Sequence, residues 1–458
     1  MFPLLVRSVI YPLHERLLSR MTMSYMRLLD WSQWSAPDDL RRLQSEKLRN
    51  LLQHAIQSVP FYKERLAGVG ASVYAEDPLE ILARLPFLTK DEIRAAMSAM
   101  IWHEAPGGVY PHNTGGSSGE PLLFVVDRRR QGYDQAARIR THRWFGVELG
   151  DRELLLWGSP IERLRTDEIK SLRDTLCNQR LLDAFNMSPT RVDDYLDEWD
   201  RFRPVSLFGY PSSIALFVEH ARSRARCLVT KHLRAVFVTG EVCMPHDREA
   251  IESYFGVPIA DGYGSREAGF IAHQCPQGGM HITAENVIVE IVRNGQPAPP
   301  GETGEIVITH LDAYAMPFIR YRTGDMGRLL PGRCTCGRGL PLMDVVQGRT
   351  TDFLYLPDGT VKHALSIIYP LRETPGIRRF RVTQHEDFGV TVDVVADASV
   401  AGVGVESIAR RVRPVLGDGI PIDVRLVDRM EAVDSGKFRY VISHARPATA
   451  REGEAHHA

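Results

Sequence analysis

The sequence predicts an α/β protein with a β-rich portion in its second half and a small α+β unit near its end. Three observations predict it. Short apolar runs at 154–157, 205–210 and 235–239 alternate with helix-compatible stretches at 167–180, 191–202 and 212–226, as βαβ units around a mostly buried sheet do. Strand-like runs at 287–292 and 305–309 follow, joined through the turn-rich residues 295–304. The last unit, beginning near Arg349, reads strand 379–384, strand 390–395, helix 405–416 and strand 421–427.

Taken in order, the first ten residues are apolar, but Arg7, Pro12, His14, Glu15 and Arg16 break the run. A basic leader, a long apolar core and a small-residue cleavage site are missing, so neither a signal peptide nor a spanning helix is expected. A helix packed on the body is expected, with a membrane surface as the alternative. Residues 37–56 read as a helix. Asp38 and Asp39 suit its first turn, and Leu40, Leu43, Leu48, Leu51, Leu52 and Ile56 keep an apolar stripe. Residues 59–66 continue as turn plus helix, 91–100 as a helix, and 128–145 as a long basic helix. Residues 447–458 are polar and Ala-rich, the composition of a disordered tail.

Bulk composition excludes some classes. The chain has 458 residues, with 56 Lys and Arg against 57 Asp and Glu, for a formal net charge of -1. That balance argues against a nucleic-acid or other polyanion binder driven by charge. Six cysteines are too few and too scattered for a disulfide scaffold in so long a chain. A reducing, cytoplasmic setting fits best.

The chemistry gathers in a few loops. Between Asn113 and Pro121 stand Thr114, Gly115, Gly116, Ser117, Ser118, Gly119 and Glu120. Glycine amides approach an anion closely, and the three hydroxyls add donors for phosphate oxygens; a flexible hairpin turn is the plain alternative. Gly240 and Glu241 end a strand, where ligands of open α/β sheets gather. A second glycine-rich loop carries Asp261, Tyr263, Gly264, Ser265 and Glu267. Tyr263 can stack on a base, Ser265 can hold a phosphate, and Glu267 offers Mg²⁺ a hard oxygen ligand. Asp325, after Tyr321-Arg322-Thr323-Gly324, suits paired ribose hydroxyls.

Together with Gly301-Glu302-Thr303-Gly304-Glu305-Ile306, Gly348-Arg349 and Gly436-Lys437, these motifs resemble the adenylate-forming superfamily over roughly residues 40 to 445. Within it the chain is similar to phenylacetate–CoA ligases and coenzyme F390 synthetase (CapK-type) proteins. The resemblance implies an adenylation domain at 1–348 and a small mobile domain at 349–446 that carries Lys437. It implies that ATP activates a carboxylic acid, such as an aryl acid, to an acyl-adenylate with loss of pyrophosphate. A thiol, usually that of CoA, then displaces AMP. Thr114–Gly119 would hold the ATP phosphates, Tyr263 would stack near adenine, and Ser265 would contact the α-phosphate. Glu267 would hold Mg²⁺, Asp325 the ribose with Arg349 in support, and Lys437 would bridge carboxylate and α-phosphate. Two positions depart from the pattern. Glu120 stands where many relatives carry lysine, and Thr351, followed by Asp352, stands at the hinge. Transfer to a carrier protein or an amine, F390-type nucleotidyl transfer, and a non-catalytic nucleotide-binding scaffold are the alternatives. A homodimer is left open.

Cys275 and His281 in one short loop, and Cys334 and Cys336 in another, suit a closed tetrahedral Zn²⁺ site, with His273 as the substitute histidine. Free loop thiols are the alternative. Candidate walls for the acid are Trp144, Phe145, Trp157, Phe185, Phe208, Tyr210 and Pro211, any of which can equally be core.

Overall fold

The computed structural model describes residues 2–70, 72–113, 122–158, 167–184, 187–240, 243, 245–347, 353–372, 374, 376–396, 404–428 and 441–445. An antiparallel pair, β1 (Val109–Asn113) and β2 (Leu123–Asp127), flanks residues 114–121. Five parallel strands come next: β3 (Glu153–Trp157), β4 (Gln179–Asp183), β5 (Ser206–Gly209), β6 (Ala235–Thr239) and β7 (Ile259–Ser265). Seven further strands extend the same sheet. They are β8 (Gly269–Gln274), β9 (Met280–Ile282), β10 (Val287–Arg293), β11 (Gln296–Pro297), β12 (Gly304–His310), β13 (Tyr321–Leu330) and β14 (Leu342–Gln347). The spatial order is β11-β10-β12-β13-β14-β9-β8-β7-β6-β5-β3-β4. The β-rich portion is thus no separate sheet: the chain reverses after β7 and pairs β8 antiparallel against it.

Strands β5 and β6 are apolar almost throughout because both of their faces are covered. Helices Pro189–Phe202, Pro211–Ser223 and Pro245–Phe255 bury Leu196, Trp199, Ile214, Phe217 and Ile251 against Leu154, Leu156, Leu207, Val236 and Val238. The basic helix Arg128–Arg143 covers the other side of the sheet, where His142 stacks on Phe237 at 3.8 Å. Its arginines are internal: Arg130 and Arg140 are each 1% exposed, and Arg140 pairs with buried Glu285 at 2.6 Å. Such a pair is tolerated inside only because each charge has its partner.

Strand β4 departs from expectation, since 167–180 reads as one helix. The helix stops at Leu176, Asn178 turns at φ 59°, and Gln179–Asp183 leaves as the sheet's edge. Its outer side faces no neighbouring strand, so exposed polar residues cost it little and its apolar signal is weak.

A separate sheet, ordered β19-β18-β17-β20, makes the small α+β unit. It contains β17 (Ile377–Gln384), β18 (Val390–Ala396), helix Val405–Leu416, β19 (Ile422–Leu426) and β20 (Val441–Ser443). A hairpin of β15 (Phe353–Tyr355) and β16 (Val361–His363) and the helix Leu365–Arg372 precede it. Ile408, Val412 and Leu416 recur every four residues and bury one helix face against Val382, Val392 and Val394.

Candidate functional site

Gly240 follows β6 with φ +83°, where a Cβ would come within 3.0 Å of the Tyr210 ring and 3.4 Å of Trp157. Those two rings stack at 4.1 Å, so an aromatic wall stands at the carboxyl ends of β3 and β5. Beside it, β7 ends in Tyr263, Gly264 and Ser265.

Two acid–phenol pairs join this strand end to β13. The Tyr263 hydroxyl donates to Asp325 Oδ2 at 3.0 Å. Burial, and then the neighbouring carboxylate, raises the Tyr263 phenol well above its ordinary value, so it remains a donor. The Tyr321 hydroxyl donates to Glu267 Oε1 at 3.1 Å. Glu267 is 6% exposed, and its second oxygen meets no donor among the described residues. Ser265 Oγ accepts the Ala268 N–H at 3.0 Å, which folds the turn between β7 and β8.

That turn is tied to the end of β1 and to the basic helix. Arg266 Nη1 donates to both the backbone and side-chain oxygens of Asn113, each at 3.3 Å. Arg130 Nη2 donates to Arg266 O at 2.7 Å. Gly269 has φ +71°, and a Cβ there would fall 2.4 Å from Asp134 Oδ1, so only glycine lets the turn lie this close to the helix. Asp134 is in turn flanked by Arg130 Nε at 3.5 Å and His310 Nε2 at 3.7 Å.

A second constellation sits at the other end of β8, one strand length, roughly 20 Å, from Glu267. One nitrogen or sulfur atom from each of Cys275, His281, Cys334 and Cys336 lies within 4.8 Å of the others. Cys275 and Cys334 Sγ are 3.6 Å apart, and Cys336 Sγ is 3.2 Å from His281 Nε2. The other ring nitrogen of His281 faces Leu340 O at 3.3 Å, and burial pushes the imidazole down to about 4, which keeps it neutral. Gly279 is required here as well, because a Cβ would sit 2.8 Å from Cys334 Sγ. His273 is elsewhere: its ring covers Gly262 and stacks on Phe270 at 5.1 Å.

A family model described as an AMP-binding enzyme matches residues 181–312. The phenylacetate–coenzyme A ligase of Pseudomonas putida is 28% identical over 341 residues, covering 72% of this chain and 75% of that protein. Its counterpart from Thermus thermophilus is 26% identical over 351 residues, covering 70% and 72%. The chain is thus similar to phenylacetate–coenzyme A ligases over some 70% of its length, and its residues 181–312 match the AMP-binding enzyme model. The fold agrees. A structure of 2-hydroxyisobutyryl-CoA ligase with 2-HIB-AMP and CoA, in the thioesterification state, superposes with a TM-score of 0.62 at 20% identity. That match covers 93% of this chain and 94% of the other.

Gly240, Asp261, Tyr263, Gly264, Ser265, Glu267 and Asp325 are placed on β6, β7, β13 and their connections. Thr114, Gly115, Gly116, Ser117, Ser118, Gly119, Glu241, Arg349 and Lys437 lie outside the described residues, as do Glu120, Thr351, Asp352, Phe185 and 447–458. Trp144 is not at the aromatic wall. Its ring meets His281 at 5.7 Å, and Arg338 lies over it at 4.4 Å. Phe145 packs edge-on against Phe237. Sequence reasoning missed the roles of Tyr321, Asn113 and Asp134. Tyr321 stands within the quoted motif, next to the residues that drew attention; Asp134 gave only its four-residue spacing from Arg130.

Asp261 makes a prediction. It is 6% exposed, and burial, partly offset by Arg248, pushes its carboxyl up to about 6. The folded state therefore holds this proton more tightly than the unfolded state does. Stability should fall as pH rises from about 4 to 6, and the cost should be fully present above that window. Asp261→Asn is expected to raise stability at pH 7–8 by on the order of 1–3 kcal/mol and to flatten the melting temperature between pH 4 and 6. Thermal melts across pH check it; an unchanged pH profile would count against the buried acid.

Proposed function

We propose that the chain is an AMP-forming acid–thiol ligase that activates an aryl carboxylic acid such as phenylacetate and transfers it to CoA. The observation that carries this reading is the convergence of Tyr263–Asp325 and Tyr321–Glu267 at the carboxyl end of β7. Nucleotide and acid meet at such strand ends in open α/β sheets, and the phenylacetate–CoA ligase relatives supply the reaction class.

In the first half-reaction a carboxylate oxygen attacks the α-phosphorus of ATP, and the bond to the bridging oxygen of pyrophosphate breaks. Catalysis here is positioning and charge neutralisation. Tyr263 would face adenine, with its hydroxyl and Asp325 directed at the ribose. Ser265 would contact the α-phosphate, while residues 114–119, which follow the Asn113 held by Arg266, would hold the departing phosphates. The open oxygen of Glu267 fits Mg²⁺, which prefers hard oxygen ligands and would neutralise phosphate charge. In the second half-reaction the CoA sulfur attacks the acyl carbon, and AMP leaves with the electron pair of the broken acyl–oxygen bond. The division into an adenylation domain (1–348) and a small domain (349–446) lets Lys437 serve the first step and withdraw for the second. An aryl acid fits the Trp157–Tyr210 wall beside Gly240.

Incubation with ATP, Mg²⁺, aryl acids and CoA, read by mass spectrometry, tests the acceptor. Acyl-CoA and AMP in equal amounts are expected. Hydroxamate formed with hydroxylamine, but no thioester with CoA, would direct the acyl group to another acceptor.

For the cysteine–histidine cluster we propose structural Zn²⁺. Tetrahedral ligands at 2.0–2.3 Å from the metal stand roughly 3.5–3.8 Å apart, close to the 3.6 and 3.2 Å separations present. The ion would crosslink the β8–β9 hairpin to the loop before β14 and leave no coordination position open for chemistry. Protein purified without chelator is expected to carry about one zinc per chain. Cys334→Ser should lose it and melt about 5–10 °C lower. Full stability in the metal-free protein would overturn the assignment.

A further inference from the structure

The N-terminal helix carries an outward face that the ligase reading leaves unused. Residues 3–5, a widened π turn at Val6–Ile10 and Tyr11–Leu17 run on as one helix. The widening accommodates Pro12, which has no N–H to donate. The inner side is fastened to the body. Val6 is fully buried over Gly150, and Arg7 Nε donates to Leu149 O at 3.0 Å. Glu15 is 1% exposed, accepts from the Thr22 hydroxyl and pairs with Arg20 at 3.5 Å.

The outer side is the reverse. Leu5, Val9, Leu13 and Leu17 follow at four-residue steps and are 46%, 52%, 55% and 77% exposed. Phe2, at 82%, stands exposed just before the stripe begins. Four-residue steps keep side chains on one helix face, so this is a continuous band rather than scattered exposure. Soluble surfaces rarely leave such a band uncovered unless something docks there.

Its charges say what docks. Arg7 pairs with Glu148 at 3.8 Å and Arg20 with Glu15, the segment's single acid, at 3.5 Å, so these charges are answered on the inner side. Arg16 is exposed beside Leu17 and has no ion pair among the described residues. An apolar stripe edged by the cation of Arg16, with no acid of the segment left to answer it, matches the boundary between acyl chains and anionic headgroups. A second copy of the same face would bring Arg16 against an apolar or cationic surface with no acid of the segment free to answer it.

We propose that this helix seats the protein on an anionic phospholipid surface, lying in the membrane plane with Leu5, Val9, Leu13 and Leu17 in the acyl boundary and Arg16 on the phosphates. Among the described residues no helix is long and apolar enough to cross a membrane, and an in-plane helix does not need to be. The inference is independent of the ligase chemistry.

Flotation of the full chain with vesicles tests it. Binding is expected to phosphatidylglycerol-containing vesicles, weaker binding to phosphatidylcholine alone, and a loss on going to about 0.5 M salt. Leu13→Ser with Leu17→Ser, and separately Arg16→Glu, should each weaken binding about tenfold or more, with thermal melts and pyrophosphate exchange unchanged. A Leu13→Trp variant should shift its indole emission to the blue when the anionic vesicles are added. Wild-type protein that stays soluble beside anionic vesicles would overturn the proposal. So would binding indifferent to these substitutions, or a dimer that they convert to monomer, which would give the face to a second copy.

Discussion

Glu267→Gln is expected to lower acid-dependent ATP–pyrophosphate exchange by about 100- to 1000-fold, the usual cost of removing one group that stabilises charge in the transition state. The substitution keeps size and shape, and its amide oxygen can still accept the Tyr321 hydroxyl that now reaches Glu267 Oε1 at 3.1 Å. What disappears is the negative charge, and with it the open oxygen available to Mg²⁺. The variant should melt within a few degrees of wild type and bind ATP more weakly in the presence of magnesium. Tyr321→Phe separates orientation from charge. It leaves the carboxylate but frees it to rotate, so a loss of about tenfold or less is expected. Equal losses in the two variants would mean that the pair acts in packing rather than at the metal.

Lys437→Ala should be as severe in one half-reaction and mild in the other. On the proposed reading this ammonium would bridge the attacking carboxylate and the α-phosphate, and its charge would be needed only while the adenylate forms. Pyrophosphate exchange is expected to fall about 100- to 1000-fold. Transfer to CoA from a supplied acyl-adenylate should stay within about threefold of wild type. Comparable losses in both steps would argue against a lysine that serves adenylation alone. Single-turnover measurements on the two half-reactions separate these outcomes.

Much of this was legible because the chemistry is carried by short loops with unusual residue types. Tyr263, Ser265 and Glu267 lie within five consecutive positions, and glycines there serve a close approach that no other residue permits, as at Gly264, where a Cβ would lie 2.5 Å from Gly269 O. Cys334 and Cys336 likewise stand out by a spacing that suits paired metal ligands. The sequence does not disclose which distant residue answers which. Tyr263 meets Asp325 across 62 positions, a pairing made by sheet order rather than by local pattern.

Helix Arg128–Arg143 is the clearest misleading signal. The sequence shows only a long basic helix, yet Arg130 and Arg140 are buried, because their partners, Asp134, Glu285 and Arg266 O, come mostly from other segments. The choice between His273 and His281 was undecidable for the same reason. Each lies near Cys275 in sequence, but β8 directs His273 onto Gly262, while β9 brings His281 to Cys336. Trp144 looked like a pocket wall from its neighbours in sequence, and tertiary packing gives it to the cysteine cluster instead.

The central claim is that this site joins a carboxylic acid to AMP. Radiolabelled pyrophosphate exchange into ATP, measured over a panel of aryl and aliphatic acids with magnesium, tests it most directly. The account predicts exchange that requires an acid, is strongest for aryl acids and disappears in Lys437→Ala. ATP that binds at Tyr263 and Asp325 yet never exchanges pyrophosphate with any acid would contradict it and leave a nucleotide-binding scaffold.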